Sequence, residues 1–277
     1  MKKGLFITVN YRQAAMTIGM LKNLLHIHGV EQFRVMVVDN TESDDDVAML
    51  SDFLKTSNSS FVEVLKSPVN LGYFGAVNFA LKKINGINDY DYLVVSNNDI
   101  EIKESHFFQK LLAMESEAQV LAPDIISRVT GRHQNPHRHS AISKCQKIQY
   151  RLLYSNYYFG LLLHYSRKFI KSITASKARL SKPVKQRIFS AHGAFLIFDR
   201  SYFEKGGHID DGYFLFGEED SVAAQCADKD MKILFCPDLK VYHNEHISTE
   251  GSGFKKRTYH LQQNAYRYIK TNYPNFY

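Results

Sequence analysis

The length and composition of the chain favour a globular protein with a substantial core. It has 277 residues, 44% of them hydrophobic, and a formal net charge of +7, which excludes a low-complexity chain and allows one elaborated domain. Three cysteines without metal-ligand spacing, Cys145, Cys226 and Cys236, favour reduced thiols in a cytoplasmic setting. No apolar run approaches the roughly 20 residues that span a bilayer, so we expect a soluble or membrane-peripheral protein.

Short apolar runs alternate along the chain with helix-length amphipathic stretches. The predicted strands cover residues 5–9, 33–38, 61–65, 92–95, 120–123, 195–198 and 233–235. The predicted helices cover residues 12–28, 44–56, 74–85, 218–229 and 258–270. The first apolar run is too short for a signal peptide and is interpreted as a buried strand. This alternation predicts an α/β fold with a mostly parallel, Rossmann-like central sheet flanked by helices.

The positive charge is concentrated in one part of the chain. The stretch from Ile125 to Phe198 holds 14 of the 35 Lys and Arg and no Asp or Glu, so the remaining 21 basic and 28 acidic residues give a net charge of −7. The same stretch is rich in Tyr and Phe, a mixture that favours contact with anionic lipid headgroups. A solvated basic helical hairpin is the open alternative. We predict a single domain, 1–277, with a basic aromatic insertion at 125–190 and a C-terminal helical segment at 251–277.

Short polar clusters follow several of the predicted strands. Ser96-Asn97-Asn98-Asp99 follows strand 92–95, and Asn10, Asp39 and the loop 70–75 follow the other early strands. Ligands of open α/β sheets bind at the carboxyl ends of the strands, and a carboxylate there can hold Mg²⁺ or Mn²⁺ against a diphosphate. Each cluster alone also fits an ordinary turn or helix cap. Their shared position favours a nucleotide pocket.

Seven short strings occur in a fixed order along nearly all of the predicted core. They are Val37–Thr41, Asn70–Asn78, Val95–Asp99, His192–Phe195, Gly206–Asp210, Phe214–Asp220 and Pro237–His243. Together they resemble the family 2 glycosyltransferases of the GT-A fold, particularly the rhamnosyl- and galactofuranosyltransferase-like members that build bacterial surface polysaccharides. The resemblance implies a GT-A domain that carries the basic insertion.

The resemblance also implies a donor and metal site. Asp99 would be a ligand of a divalent cation, Mg²⁺ or Mn²⁺, and His243 would be a second ligand near the diphosphate. A histidine after a strand is otherwise usually structural. The implied donor-binding residues are Asn10, Asp39, Asn70, Gly72, Asn97 and Asn98.

The implied catalytic base lies in the acidic cluster Glu218-Glu219-Asp220. Acidic residues at a helix start are also stabilised by the helix dipole, whatever their function. An inverting transfer needs a carboxylate that takes the proton of the acceptor hydroxyl. The alignment of the strings gives that position to Glu219, and a shift of one residue gives it to Asp220, so both stay open.

The implied reaction is an inverting, metal-dependent, non-processive transfer of one sugar. The donor would be a UDP- or dTDP-linked sugar, and the acceptor would be a saccharide linked to polyprenyl diphosphate, in O-antigen or capsule synthesis. The chain lacks both Trp and the Gln-x-x-Arg-Trp string of processive synthases. The implied location is cytoplasmic, peripheral at the inner face of the cell membrane through residues 125–190, with no nucleic-acid partner.

Two other classes of function remain. A sugar nucleotidylyltransferase should carry a glycine-rich loop after the first strand, and Val9–Arg12 contains no glycine. A noncatalytic protein that binds membranes or nucleic acid would account for the basic stretch. It would leave Asp99, Glu219 and His243 without a role.

Overall fold

The computed structural model describes residues 2–57, 59–84, 87–115, 117–163, 165, 183–245 and 255–277. The strands are β1 (Gly4–Asn10), β2 (Phe33–Asp39), β3 (Val62–Lys66), β4 (Tyr92–Asn97), β5 (Ile100–Glu101), β6 (Val120–Ser127), β7 (Gln186–Ile188), β8 (Phe195–Asp199) and β9 (Ile233–His243). The α-helices are α1 (Ala14–Leu25), α2 (Asp45–Ser57), α3 (Tyr73–Lys83), α4 (Phe107–Ala113), α5 (Lys144–Leu153), α6 (Arg200–Glu204), α7 (Glu218–Asp228) and α8 (Lys256–Asn272). Residues 157–163 are also helical.

The described strands form one mixed sheet in the order β3-β2-β1-β4-β8-β6-β9-β5, with β7 paired to β9. Strands β1 to β4, β6 and β9 run in one direction, and β8, β5 and β7 run against them. The predicted α/β fold with a mostly parallel central sheet is therefore confirmed.

Helices cover both faces of the sheet, so its central strands are buried on both sides. Side chains alternate between the faces along a strand. Leu5 and Ile7 of β1 accordingly lie in one core cluster, and Phe6 lies in the other. This double burial is why the central strands read as continuous apolar runs.

One edge of the sheet collects the ends of strands that are far apart in sequence. Asn10 pairs with Asp39, and Val9 pairs with Asn97, so the carboxyl ends of β1, β2 and β4 are level. Because β8 runs against β4, its start reaches the same edge, where the N–H of Asn97 donates to the carbonyl of Ala194 at 2.9 Å.

Each predicted helix and strand has a counterpart, and the structure adds elements that were not predicted, among them the helices α4 and α6. Strand β9 continues beyond the predicted 233–235 to His243, and the short strands β5 and β7 were not predicted. Within the predicted insertion, α5 and the helical residues 157–163 are described, whereas residues 166–182 lie outside the described part of the chain, as do 251–254 of the C-terminal segment. None of the described helices is both long and apolar enough to cross a membrane.

Candidate active site

A buried hydrogen-bond network joins the predicted nucleotide-binding residues. Nδ2 of Asn98 donates to Oγ1 of Thr17 at 2.9 Å, and that hydroxyl donates to Oδ1 of Asn10 at 2.7 Å. Nδ2 of Asn10 then donates to Oδ1 of Asp39 at 2.8 Å and to Oδ2 of Asp46 at 2.7 Å. The ends of β1, β2 and β4 are thus held together by side chains, and Thr17 is the link that the sequence did not reveal.

The carboxylate of Asp39 is fully buried and is neutralised within the protein. Its Oδ2 lies 3.0 Å from Nζ of Lys66, and its Oδ1 accepts the backbone N–H of Thr41 at 3.1 Å. Burial of a carboxylate is costly unless it is paired and hydrogen-bonded. Asp39 therefore shapes the loop that follows β2.

The loop after β3 is built around Gly72. Oδ1 of Asn70 accepts the N–H of Gly72 at 3.1 Å, and the carbonyl of Gly72 accepts from Nδ2 of Asn40 at 2.8 Å. Gly72 has a φ of +75°, and a Cβ there would lie 2.1 Å from the carbonyl oxygen of Phe214. Glycine is required here by both the backbone conformation and the contact with the loop before α7.

Asp99 and His243 meet where β4 and β9 end. Both are buried, and Nε2 of His243 lies 3.2 Å from Oδ1 of Asp99. Among the described residues, this oxygen nevertheless has no hydrogen-bond partner. Asn97, two residues earlier, is held against the start of β8 by its backbone N–H, which donates to the carbonyl of Ala194.

The donor set of Asp99 and His243 fits a divalent cation. A buried carboxylate oxygen without a hydrogen bond has a lone pair that needs a partner, and imidazole nitrogen with carboxylate oxygen is an acceptable set for Mn²⁺. No third His, Cys, Asp or Glu joins them within the described part of the chain. Proteins often hold Mg²⁺ with only one or two of their own ligands, and substrate phosphates complete its coordination.

Glu219 is held against the start of β8. Its Oε1 accepts the N–H of Gly193 at 3.0 Å, and a Cβ on residue 193 would approach that oxygen to 2.9 Å. Burial alone raises the pKa of this carboxyl. The histidines His192 and His137, with the Gly193 N–H, outweigh burial and lower the pKa of Glu219 below its usual range. The surroundings of Glu219 thus favour its charged form in a buried site.

The two acidic neighbours of Glu219 have different environments. Oδ1 of Asp220 lies 2.8 Å from Nη1 of Arg138, and its Oδ2 accepts from the hydroxyl of Tyr277. Burial and the nearby charge of Glu219 raise the pKa of Glu218 to about 8. Asp220 is thus engaged in an ion pair, and Glu218 is protonated over much of the neutral range.

His192 and Tyr73 lie between the pair of Asp99 and His243 and the acidic cluster. The ring centroid of His192 is 5.9 Å from that of His243, and its Nδ1 accepts the N–H of Ala194 at 3.1 Å. Burial lowers the pKa of His192, and because Nδ1 accepts that N–H, a neutral His192 ring carries its proton on Nε2. Burial and the charges of Glu218, Asp99 and Glu219 raise the pKa of Tyr73.

The structure brings the sequence-predicted residues into two adjoining groups. One is the network of Asn10, Asp39 and Asn98, and the other comprises Asp99, His243 and the acidic cluster. No role was predicted for Thr17, Tyr73 or His192. His192 could have been found, because it begins one of the seven strings, whereas Thr17 lies on α1 without any such signal.

Several solved structures have a similar fold. A mannosyltransferase from Pyrobaculum calidifontis with GDP-Man and Mn²⁺ matches with a TM-score of 0.54 and 14% identity, over 100% of this chain and 63% of that one. GalNAc-T7 with UDP, GalNAc and Mn²⁺ matches with a TM-score of 0.59 and 14% identity, over 88% of this chain and 44% of that one. S. aureus TarS matches with a TM-score of 0.54 and 15% identity, over 87% and 36%. At identities this low, the structural matches show a shared fold alone. This chain spans less than two thirds of the length of each of those chains.

The family comparison covers most of the sheet and of the site. Among curated proteins, none matches the sequence. The model of glycosyl transferase family 2 matches residues 6–207, a range that includes Asn10, Asp39, Asp99 and Gly193. With this match over more than half of its length, the chain belongs to glycosyl transferase family 2.

Proposed function

We propose that the protein transfers one sugar from a nucleotide-sugar donor to a saccharide acceptor with inversion at the anomeric carbon. The acceptor hydroxyl would attack that carbon, the bond from the carbon to the diphosphate oxygen would break, and its electron pair would leave with the nucleoside diphosphate. The observation that carries this proposal is that Glu219, held by the N–H of Gly193, and the pair of Asp99 and His243, which packs beside His192, lie at one edge of the sheet.

Glu219 is the proposed general base. A base must be deprotonated before the reaction and must accept a proton during it. The lowered pKa of Glu219 satisfies the first condition. Asp220 is a poorer candidate because Arg138 and Tyr277 occupy its two oxygens, and Glu218 is a poorer one because its pKa of about 8 keeps it protonated.

Asp99 and His243 are the proposed ligands of Mg²⁺ or Mn²⁺. When bound, such a cation supplies positive charge that stabilises the departing diphosphate without a proton transfer. The Asp99 oxygen without a hydrogen bond supports this role. The proton on Nε2 of His192 and the hydroxyl of Tyr73 are further donors that can orient phosphate or sugar oxygens at this edge.

The network around Asn10 is the proposed donor-nucleotide side of the site. Asn97, Asn98, Asn70 and Gly72 lie on the loops that flank it, and Asp39 holds the loop after β2. We propose a UDP- or dTDP-linked donor, with rhamnose or galactofuranose as the sugars to test first because of the resemblance described above. The pathway would be bacterial O-antigen or capsule synthesis.

The proposed acceptor is a saccharide on polyprenyl diphosphate, met at the cytoplasmic face of the membrane. Two exposed apolar rows support membrane contact. Ile148 and Leu152 are four residues apart on α5, and Tyr158 and Leu162 are four apart on the helical residues 157–163. Residues four apart share one face of a helix. The basic residues Lys144, Lys147 and Arg151 accompany them on α5, as expected for an interfacial surface.

Release of nucleoside diphosphate from a panel of nucleotide sugars tests the proposal. The panel would pair UDP-, dTDP- and GDP-linked sugars with Mn²⁺, Mg²⁺ or a chelator, without acceptor. We expect slow, metal-dependent hydrolysis of one UDP- or dTDP-linked sugar, and at least a hundredfold loss in Asp99→Asn, in keeping with the loss of a charge-stabilising group. Asp52→Asn, at an exposed aspartate of α2, is the matched control. Hydrolysis that persists in Asp99→Asn and with chelator would contradict the metal role.

A further inference from the structure

The imidazole of His243 is held on its far side by a short chain of polar side chains. Nδ1 of His243 lies 2.9 Å from Oε1 of Gln134. The amide nitrogen of Gln134 donates to Oε1 of Glu245, whose Oε2 accepts from Oγ of Ser127 at 2.9 Å. These residues form a continuous hydrogen-bonded chain that ends on the ring facing Asp99.

Glu245 fixes which atom of this chain is the donor and which is the acceptor. The two carboxylate oxygens of Glu245 accept from Ser127 and from the amide nitrogen of Gln134, so the nitrogen of Gln134 is the atom that faces Glu245. The amide oxygen of Gln134 then faces His243, and this oxygen also only accepts. Nδ1 of His243 therefore carries a proton, and in the neutral form of the ring Nε2 carries the lone pair.

The lone pair on Nε2 faces a second atom that carries lone pairs. Oδ1 of Asp99 is 3.2 Å away and has no hydrogen-bond partner among the described residues. When the ring is neutral, these two atoms repel each other, and a cation that both can bind removes the repulsion. The N–H of Asn244 donates to the carbonyl of Asp99 at 2.9 Å, which holds the two segments together.

The backbone at Glu245 supports a specific role for its side chain. Glu245 has a φ of +45°, in the left-handed region where residues other than glycine are strained. Such strain persists where other contacts compensate for it, and the carboxylate contacts with Gln134 and Ser127 are contacts of this kind.

We propose that Gln134 and Glu245 are positioning residues that hold His243 as the Nδ1–H tautomer and so present Nε2, together with Asp99, to a divalent cation. The inference rests on the proposed function, because the cation is the one assigned there to Asp99 and His243. Gln134 and Glu245 themselves touch neither the cation nor the substrate. They act by fixing a proton on the ring nitrogen that the metal does not use.

The tautomer of His243 can be measured in the metal-free protein. ¹⁵N chemical shifts of labelled histidine in alkaline buffer report which ring nitrogen is protonated, and His243→Gln assigns the signal. We expect the Nδ1–H form in the wild-type protein. Gln134→Met, which keeps the side-chain length, should give a mixture of tautomers. Glu245→Gln leaves Gln134 in place, removes its acceptor-only partner and should also give a mixture.

A wild-type Nε2–H tautomer would overturn the proposal. A His243 signal that is unchanged in both variants would overturn it as well.

The affinity for Mn²⁺ alone, followed by electron paramagnetic resonance without donor, is the second measurement. We expect Gln134→Met to bind Mn²⁺ about 10- to 100-fold more weakly, as is typical for loss of a group that orients a metal-binding histidine. Gln109→Met is the matched control, because Oε1 of Gln109 contacts Nδ1 of His106 at 2.8 Å in a separate Gln–His pair. This control should bind Mn²⁺ as the wild type does.

Asp99→Asn separates failure of the inference from failure of the proposed function. Unchanged Mn²⁺ affinity in Asp99→Asn would contradict the metal site itself. A large loss in Asp99→Asn with full affinity in Gln134→Met would leave the metal site standing and overturn the positioning role.

Discussion

Three consecutive acidic residues at the start of α7 show how position sets chemistry at the scale of one residue. All three lie in the first turn, where the helix dipole favours negative charge. Glu218 faces the buried side, Glu219 accepts the N–H of Gly193, and Asp220 faces Arg138. The same residue type thus has a raised pKa at 218 and a lowered one at 219.

The contrast between Glu219 and Asp220 gives a first prediction. Glu219→Gln should fold normally and lose activity by about 10²- to 10⁴-fold, because the amide cannot accept the proton. Asp220→Asn should lower the free energy of unfolding by about 3 kcal/mol, because it leaves the charge of Arg138 largely buried without a counter-charge. Turnover numbers and urea unfolding of both variants check this. If Asp220→Asn kept its stability and lost as much activity as Glu219→Gln, the base would be Asp220.

A second prediction concerns the pH dependence of stability through Glu218. With its pKa raised to about 8, Glu218 binds its proton more tightly in the folded than in the unfolded chain, where the pKa of glutamate is about 4.3. Its contribution to stability is therefore fully present below about pH 4 and is lost as the pH rises towards about 8. Glu218→Gln stays neutral, so it should gain stability relative to the wild type between about pH 5 and about pH 8, by on the order of 2 kcal/mol.

Urea unfolding of the wild type and of Glu218→Gln, at about pH 5 and at about pH 8, checks the prediction for Glu218. The control is Glu117→Gln, at a side chain that is 92% exposed; its difference from the wild type should be the same at both pH values. A parallel pH dependence of wild type and Glu218→Gln would show that Glu218 is not the group responsible.

At the scale of elements, the loops that cross the sheet edge determine the site. The loop 70–72 packs on the backbone of Phe214, just before α7, and Gly193 packs on Glu219 at its start. Both contacts need a residue without a side chain. The donor side and the acidic cluster are therefore held in place by glycine contacts as well as by the strands.

Substitution of Gly72 gives a third prediction. Gly72→Ala introduces both a strained φ of +75° and a Cβ that would lie 2.1 Å from the carbonyl of Phe214. Gly131→Ala is the matched control, because Gly131 has a φ of +67° and nothing within 4 Å of the added Cβ. Gly131→Ala should cost about 1 kcal/mol of unfolding free energy, and Gly72→Ala about 2 kcal/mol more, because the loop must move. Equal losses in urea unfolding would show that the contact with Phe214 is easily relieved.

The sequence predicted the elements whose apolar runs are long, and it missed those defined by their neighbours. Strands β1 to β4 are apolar enough to be read directly. Strand β9 was predicted only to residue 235, because Pro237 interrupts its pattern; its register with β6 shifts there and then continues to His243. The contacts of Gln134 with His243 and Glu245 join segments more than a hundred residues apart, and a spacing pattern carries no information about such contacts.

At the scale of the whole molecule, aromatic contacts link the acidic cluster to the exposed surface of the insertion. The hydroxyl of Tyr277 donates to Asp220, and its ring packs edge-on against Tyr150 of α5. Tyr150 stacks on Tyr154, which contacts Tyr266 of α8. The surface that we propose to meet the membrane is thus packed against the part of the site that would receive the acceptor.

A last prediction tests the membrane contact on this surface. Replacing Ile148 and Leu152 by Ser removes two apolar side chains that are 59% and 42% exposed and leaves the neighbouring basic residues unchanged. If these side chains enter the lipid interface, the two substitutions remove apolar area that the lipid would bury. Binding to phosphatidylglycerol-rich vesicles should therefore weaken by about tenfold. Flotation of the protein with vesicles measures this binding.

The matched control for the membrane contact replaces Met49 and Val69, which are 49% and 59% exposed outside the insertion, by Ser. This control should float as the wild type does, and both variants should keep the hydrolysis rate of the donor, because none of the four residues lies in the proposed site. Binding should also fall for all proteins on neutral phosphatidylcholine vesicles, since the basic residues of α5 then lose their anionic partners. Equal flotation of the two variants with anionic vesicles would place the membrane contact elsewhere or exclude it, because the exposed rows on α5 would then contribute no more than any other apolar surface.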